Sequence, residues 1–118
     1  MKEKNLIRDK SYQFALKIIN VFKHLQKDKN EFVLSKQLLK SGTSIGANIE
    51  EAIGGQTKKD FFTKITIAYK EARETNYWIR LLRDSHYLSD ELAQQLLNDC
   101  NEILKILGTI QISLKNKI

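Results

Sequence analysis

The chain has 118 residues, of which 42% are hydrophobic and 29% charged, with a formal net charge of +6. That balance describes one folded domain with a core of its own, and it excludes a disordered chain. The single cysteine, Cys100, excludes an internal disulfide and a cysteine-built metal site within one chain, and five glycines with no proline favour long, uninterrupted helices.

The N-terminal stretch MKEKNLIRDKSYQF has charges and no apolar run, so it does not read as a secretory leader. No window approaches the roughly 18 consecutive apolar residues of a membrane span. With the cysteine count, these features place the expected protein in the cytoplasm with no membrane partner.

In chain order, four segments show the three- and four-residue steps of amphipathic helices. The first, about 6–28, aligns Ile7, Phe14, Ile18, Val21, Phe22 and Leu25, with Lys17, Lys23 and Lys27 outward. The second, about 36–53, aligns Leu38, Gly42, Ile45, Ile49 and Ala52. Ser35 is its expected N-cap, Leu34 and Leu39 sit at staple spacing, and Gly54 and Gly55 are expected to end it in left-handed backbone. The third, about 58–85, aligns Phe61, Ile65, Ala68, Ala72, Thr75, Ile79 and Leu82. Thr57 caps it, Asp60 meets its positive end, and Asp60 and Lys64 form an expected i,i+4 pair. The fourth, about 90–115, aligns Leu92, Leu96, Cys100, Ile103, Leu107, Ile110 and Leu114, with Ser89 as cap and Asp90 and Glu91 in the first turn. Connections of roughly 3–8 residues force antiparallel neighbours. The expected fold is all-α: one domain over 1–118, an up-down-up-down antiparallel four-helix bundle.

Within this helical setting the stretch SGTSIGANIEEA, Ser41 to Ala52, is unusual. It has neither GxxxxGK[ST] nor GxGxxG, and no strand precedes it, so it is not a phosphate loop. Gly42 lies on the apolar stripe, and Gly42 and Gly46 stand four apart beside Ala47. A mid-helix glycine costs about 1 kcal/mol against alanine. The row therefore reads as close packing, either within the bundle or between subunits. A polar row, Ser41, Ser44, Asn48 and Glu51, borders that stripe, and Glu71, Glu74 and Trp78 make a comparable flank on the third helix. Three readings of this flank stand side by side: a boundary zone, a subunit interface, or a carboxylate site.

No set of residues converges on a reaction. His24 and His86 have no metal-ligand spacing, and the paired Glu-x-x-His motifs of di-iron bundles are absent. Cys100 reads as a buried thiol. Glu50, Glu51, Glu71 and Glu74 lack an accompanying nucleophile or ligand set. No enzyme, cofactor, metal or small-molecule substrate is expected. The third helix does carry Lys59, Tyr69, Lys70, Arg73, Tyr77 and Arg80 away from its core stripe. Cations neutralise phosphates and tyrosine rings stack on unpaired bases, whereas a solvated face with intrahelical pairs is the plainer reading. Lys10, Lys17, Lys23 and Lys27 on the first helix offer a second basic surface.

SGTSIGANIEEA, followed about twenty residues later by KEARETNYWIRLLRDSHYLSDE, resembles the four-helix-bundle family first noticed as reading frames inside intervening sequences of bacterial 23S rRNA genes. The resemblance spans roughly Asp9 to Leu114 and is sharpest at Ser44-Ile45-x-Ala47-Asn48-Ile49-x-Glu51 and at Glu71–Leu82. It implies a left-handed bundle assembled into a ring, usually a homopentamer. It also implies a loose relation to the pentameric accessory proteins of diversity-generating retroelements, whose basic surface engages nucleic acid and a reverse transcriptase. Many family members have proline where Gly46 stands, paired arginines where this chain has Leu39 and Lys40, and Glu-Gly where it has Glu51-Ala52. Lysine is a point charge, not a planar fork, so a bidentate phosphate contact at Lys40 is not expected.

Two functions are thereby expected. One is a non-enzymatic homo-oligomer that binds RNA or other nucleic acid through Lys40, Lys59, Lys70, Arg73, Tyr77 and Arg80. In it, Gly42, Ser44, Gly46, Asn48, Glu51, Glu74 and Trp78 serve subunit contact or close packing. The other is a ring-shaped protein–protein adaptor with no nucleic-acid ligand.

Overall fold

A computed structural model describes residues 2–117, which form four α-helices: α1 (Lys2–Lys29), α2 (Leu34–Ile53), α3 (Lys58–Asp84) and α4 (Asp90–Lys115). Each helix packs on its neighbours in the chain and α4 closes back onto α1, while the backbones of the diagonal pairs stay apart among the described residues. Cross-helix partners run in opposite directions: Arg8 meets Glu50 and Ile18 meets Gly42, while Ala72 meets Cys100 and Thr66 meets Gln111. This is an all-α antiparallel four-helix bundle, 46 × 20 × 20 Å. Among the described residues no helix is long and apolar enough to cross a membrane.

The core follows the apolar periodicity closely. All seven stripe residues of α3 are buried, as are all five of α2. Phe22, Leu92 and Leu114 are only half-buried, and Ala93 and Leu97 are buried instead. The stripe of α4 is therefore wider than one column of leucines at steps of four. Ser41 and Thr75 are fully buried, and their hydroxyl oxygens lie 2.9 Å apart, joining α2 to α3 through the core. Buried hydroxyls need partners, and this pair supplies one to each side.

The helix ends show where local rules held and where they did not. Thr57 Oγ1 accepts from the Asp60 amide at 3.0 Å, and Ser89 Oγ accepts from the Leu92 amide at 3.1 Å. α1 begins at Lys2 rather than near residue 6, because KEKN is helix-compatible but carries no apolar period to announce itself. α2 begins at Leu34, and Ser35 does not cap it. The carboxylate of Glu31 takes that role, accepting from the amides of Val33, Leu34 and Ser35 at 3.2, 3.0 and 2.6 Å. Ser35 Oγ instead donates back to the Glu31 carbonyl at 2.9 Å. Gly54 and Gly55 do not take left-handed angles; Gly54 has φ −79° and its amide simply extends the helical bonding to Glu50. Positive φ falls on Asn30 (52°) and His86 (69°). At His86, the Tyr87 amide bonds the Leu82 carbonyl at 2.9 Å and the His86 amide bonds that of Arg83 at 3.0 Å, a Schellman closure. Lys64 pairs with Glu51 across the bundle at 2.9 Å rather than with Asp60 on its own helix.

Candidate nucleic-acid interface

The glycine row of α2 faces α1 of the same chain. A Cβ at Gly42 would stand 2.9 Å from both Cγ atoms of Ile18, which is fully buried. A Cβ at Gly46 would touch Ser11 at 3.4 Å from its hydroxyl and 3.5 Å from its carbonyl oxygen. Both glycines thus lie where α2 and α1 approach closely, and Gly42 leaves no room for any side chain.

On the opposite flank of α2, the polar row is bonded mostly along its own helix. Ser44 Oγ donates to the Lys40 carbonyl at 2.6 Å, and Asn48 Nδ2 donates to the Ser44 carbonyl at 2.8 Å. Trp78 Nε1 donates to Glu74 at 3.0 Å. The four glutamates do not converge: Glu50 pairs with Arg8 at 2.7 Å on one side of α2, and Glu51 pairs with Lys64 on the other. Burial, then the charge of Glu74, pushes the Glu71 carboxyl up, and Lys40 pulls it the other way. Glu50 and Glu51 are thus turned apart, while Glu71 and Glu74 stay near each other on α3.

Cys100 is fully buried, its Sγ donates to the Ala72 carbonyl at 3.2 Å, and burial pushes its thiol up to about 12. Such a thiol carries almost no thiolate at neutral pH. His24 bonds Asp28 at 2.8 Å on its own helix. Among the described residues no three His, Cys, Asp or Glu side chains gather as a metal site.

The basic residues divide into two populations. On α1, Arg8 pairs with Glu50, Lys10 with Glu102 and Lys17 with Asp99, the last at 2.7 Å. Of the second basic surface expected on α1, Lys10 and Lys17 are thus neutralised by α4, while Lys23 and Lys27 stay exposed. On α3, Lys59, Lys70, Arg73, Tyr77 and Arg80 are all exposed. Among the described residues none of these four cations pairs with a carboxylate. Lys70, Arg73, Tyr77 and Arg80 lie within about 15 Å along the helix axis, whereas Lys59 stands about 27 Å from Tyr77 at 1.5 Å per residue. Lys40 stands apart on α2, near Glu71. Tyr69 is half-buried against the core and offers no free ring.

The outer face of α3 meets α4 in a shallow groove of about 550 Å³ around Tyr77. Arg80 Nε donates to Asn76 Oδ1 at 2.8 Å, and Asn76 Nδ2 donates across to Asn101 Oδ1 on α4 at 3.1 Å. The Arg80 guanidinium sits 5.9 Å from the centre of the Tyr77 ring. Sequence reasoning had no access to Asn101, because nothing in either helix announces a pairing across the bundle.

An all-α bundle with a small-residue row on its second helix and a cationic third helix defines a recognisable class. The family model described as 23S rRNA-intervening sequence protein matches residues 3–109, and the chain belongs to that family. It is also similar to a crystal structure of a protein of unknown function from the S23 ribosomal protein family of Bacteroides thetaiotaomicron. The two share 48% identity over 92% of this chain and 97% of that one, with a TM-score of 0.91. No curated protein matches.

Proposed function

We propose that the protein is a non-enzymatic homo-oligomer that binds RNA or other nucleic acid through the outer face of α3. The observation that carries this reading is the contrast in pairing. Lys70, Arg73 and Arg80 stand exposed around Tyr77 with no carboxylate at ion-pair distance among the described residues, while Arg8, Lys10 and Lys17 of α1 are matched. An unmatched cationic strip keeps its field for a polyanion. The family's intervening-sequence name supports the same direction without naming a ligand.

Assembly is supported by apolar side chains that a single chain leaves in water. Tyr12 is 62% exposed and Leu16 43%, both on α1. In the pentamer that family resemblance implies, five chains at +6 each would carry about +30, and a modest strip would act with avidity. Gly46→Leu disturbs the α1–α2 seam and does not isolate assembly, so Leu16→Glu is the cleaner probe.

Light scattering on the purified protein, with absorbance at two wavelengths across the same peak, tests both halves. A multiple of the chain mass with co-purifying nucleic acid supports the reading. Binding of added oligonucleotide that weakens steeply with salt supports it further. A clean oligomer with no affinity for nucleic acid at low salt rejects it in favour of the adaptor.

A further inference from the structure

We infer that the α3–α4 groove around Tyr77 holds an unpaired nucleobase, so that the ligand is single-stranded; this rests on the nucleic-acid reading above. Tyr77 is 46% exposed, and its ring is steadied edge-on by Trp78, with centroids 5.0 Å apart and planes at 67°. A ring held in place loses little freedom when a base stacks on it. The Arg80 guanidinium lies 5.9 Å from the ring centre. A base between two stacking partners needs about twice the roughly 3.4 Å stacking distance, so Arg80 has to swing out by only about 1 Å. Exposed arginine tethered by one amide bond can make that movement.

Next to the ring, the groove offers hydrogen-bonding groups suited to a base edge. Asn76 accepts from Arg80 and donates to Asn101, yet Asn101 keeps both amide hydrogens and each oxygen keeps a lone pair. Donors and acceptors side by side read the edge of an unpaired base. Arg73 and Lys70 continue the same side of α3 by one and two turns, positioned for the phosphates that follow. Glu74 borders the groove on its other side and holds the Trp78 indole. Its charge turns a polyanionic strand toward Arg73. A duplex keeps its bases stacked inside and leaves Tyr77 nothing to stack on.

The test is fluorescence anisotropy with a short labelled single strand and a blunt-ended two-strand duplex of equal phosphate number, each as RNA and DNA, over a range of salt. The single strand is expected to bind about tenfold tighter than the duplex. Tyr77→Leu is expected to weaken single-strand binding about tenfold, the order of one base–aromatic stack. It should leave duplex binding and the salt slope unchanged, and Tyr77→Phe should bind as the parent does. A preference for either sugar supports the inference and names the source of the base. Equal affinity for duplex, or no effect of Tyr77→Leu, overturns the single-strand inference and leaves the wider reading standing. No binding of any probe at low salt overturns both. Circular dichroism melting of the Tyr77 variants confirms that the fold is kept.

Discussion

α1 and α3 are nearly equal in length, at 28 and 27 residues, and both carry a series of cations on their outer sides. Each pairs some of it and leaves some free, α3 pairing Lys64 with Glu51 and Arg83 with Asp84, and they differ in where the free cations fall. α1 spends Arg8, Lys10 and Lys17 on carboxylates of α2 and α4, while Lys23 and Lys27 near its far end stay exposed. α3 leaves Lys70, Arg73 and Arg80 facing water beside an aromatic ring. Counting lysines and arginines cannot separate these cases. What separates them is which neighbour lies opposite, and the partners of Arg8 and Lys17 are 42 and 82 residues away in the chain.

The comparison breaks most severely where α1 is seated. Gly42→Leu drives a side chain into Ile18, whose Cγ atoms already stand 2.9 Å from the position of a Cβ. The loss is expected to be about 3 kcal/mol, at the upper end for overpacking, and denaturant unfolding measures it. The same change on the open side of α2, Ala47→Leu, should cost little, because Ala47 is exposed. Equal losses at the two positions would mean that α1 is not held against the glycine row.

A smaller effect is expected at the turn between α1 and α2. Glu31→Ala strips the carboxylate from three amides at the start of α2 and should cost about 1–2 kcal/mol. The pH dependence has a definite sign. Burial pushes the Glu31 carboxyl up, but the amide bonds from Leu34, Ser35 and Val33 together hold it below its ordinary 4.5. Its stabilisation is therefore present above that ordinary value and is lost as pH falls through the depressed one. Urea midpoints of the parent and Glu31→Gln should converge in acid. A gap that stays constant down to low pH would assign the cap to another group.

The smallest effect concerns the seam between α1 and α4. A double-mutant cycle on Lys17 and Asp99 should give roughly 0.2–1 kcal/mol, since Lys17 is 58% exposed in its side chain. A coupling well above that range would mean that the pair holds the seam together as well as cancelling charge.

Much of the fold was legible because helical period reports burial directly. The seven buried positions of α3 and the caps at Thr57 and Ser89 are local features, and local rules reach them. The cap of α2 escaped because Glu31 acts from outside the helix, where the usual pattern looks for serine at the boundary. The small-residue row was visible, but period tells only which face is apolar and not which helix covers it, so α1 as the partner was not. At the candidate site, Lys70, Arg73, Tyr77 and Arg80 could be grouped from their spacing. The burial of Tyr69, the separation of Lys40 and Lys59, and the Asn76–Asn101 bridge depend on how α2 and α4 flank α3.

The central claim is that the free cations of α3, and not the matched ones of α1, meet a polyanion. It is tested most directly by the salt dependence of single-strand binding for two double variants, Lys70→Gln with Arg73→Gln and Lys10→Gln with Lys17→Gln. Each phosphate contact on a single strand adds about 0.7 to the slope of log affinity against log salt. The α3 pair should weaken binding and flatten the slope by about 1.4, while the α1 pair leaves both unchanged. Equal flattening by the two pairs, or by the α1 pair alone, would contradict the account.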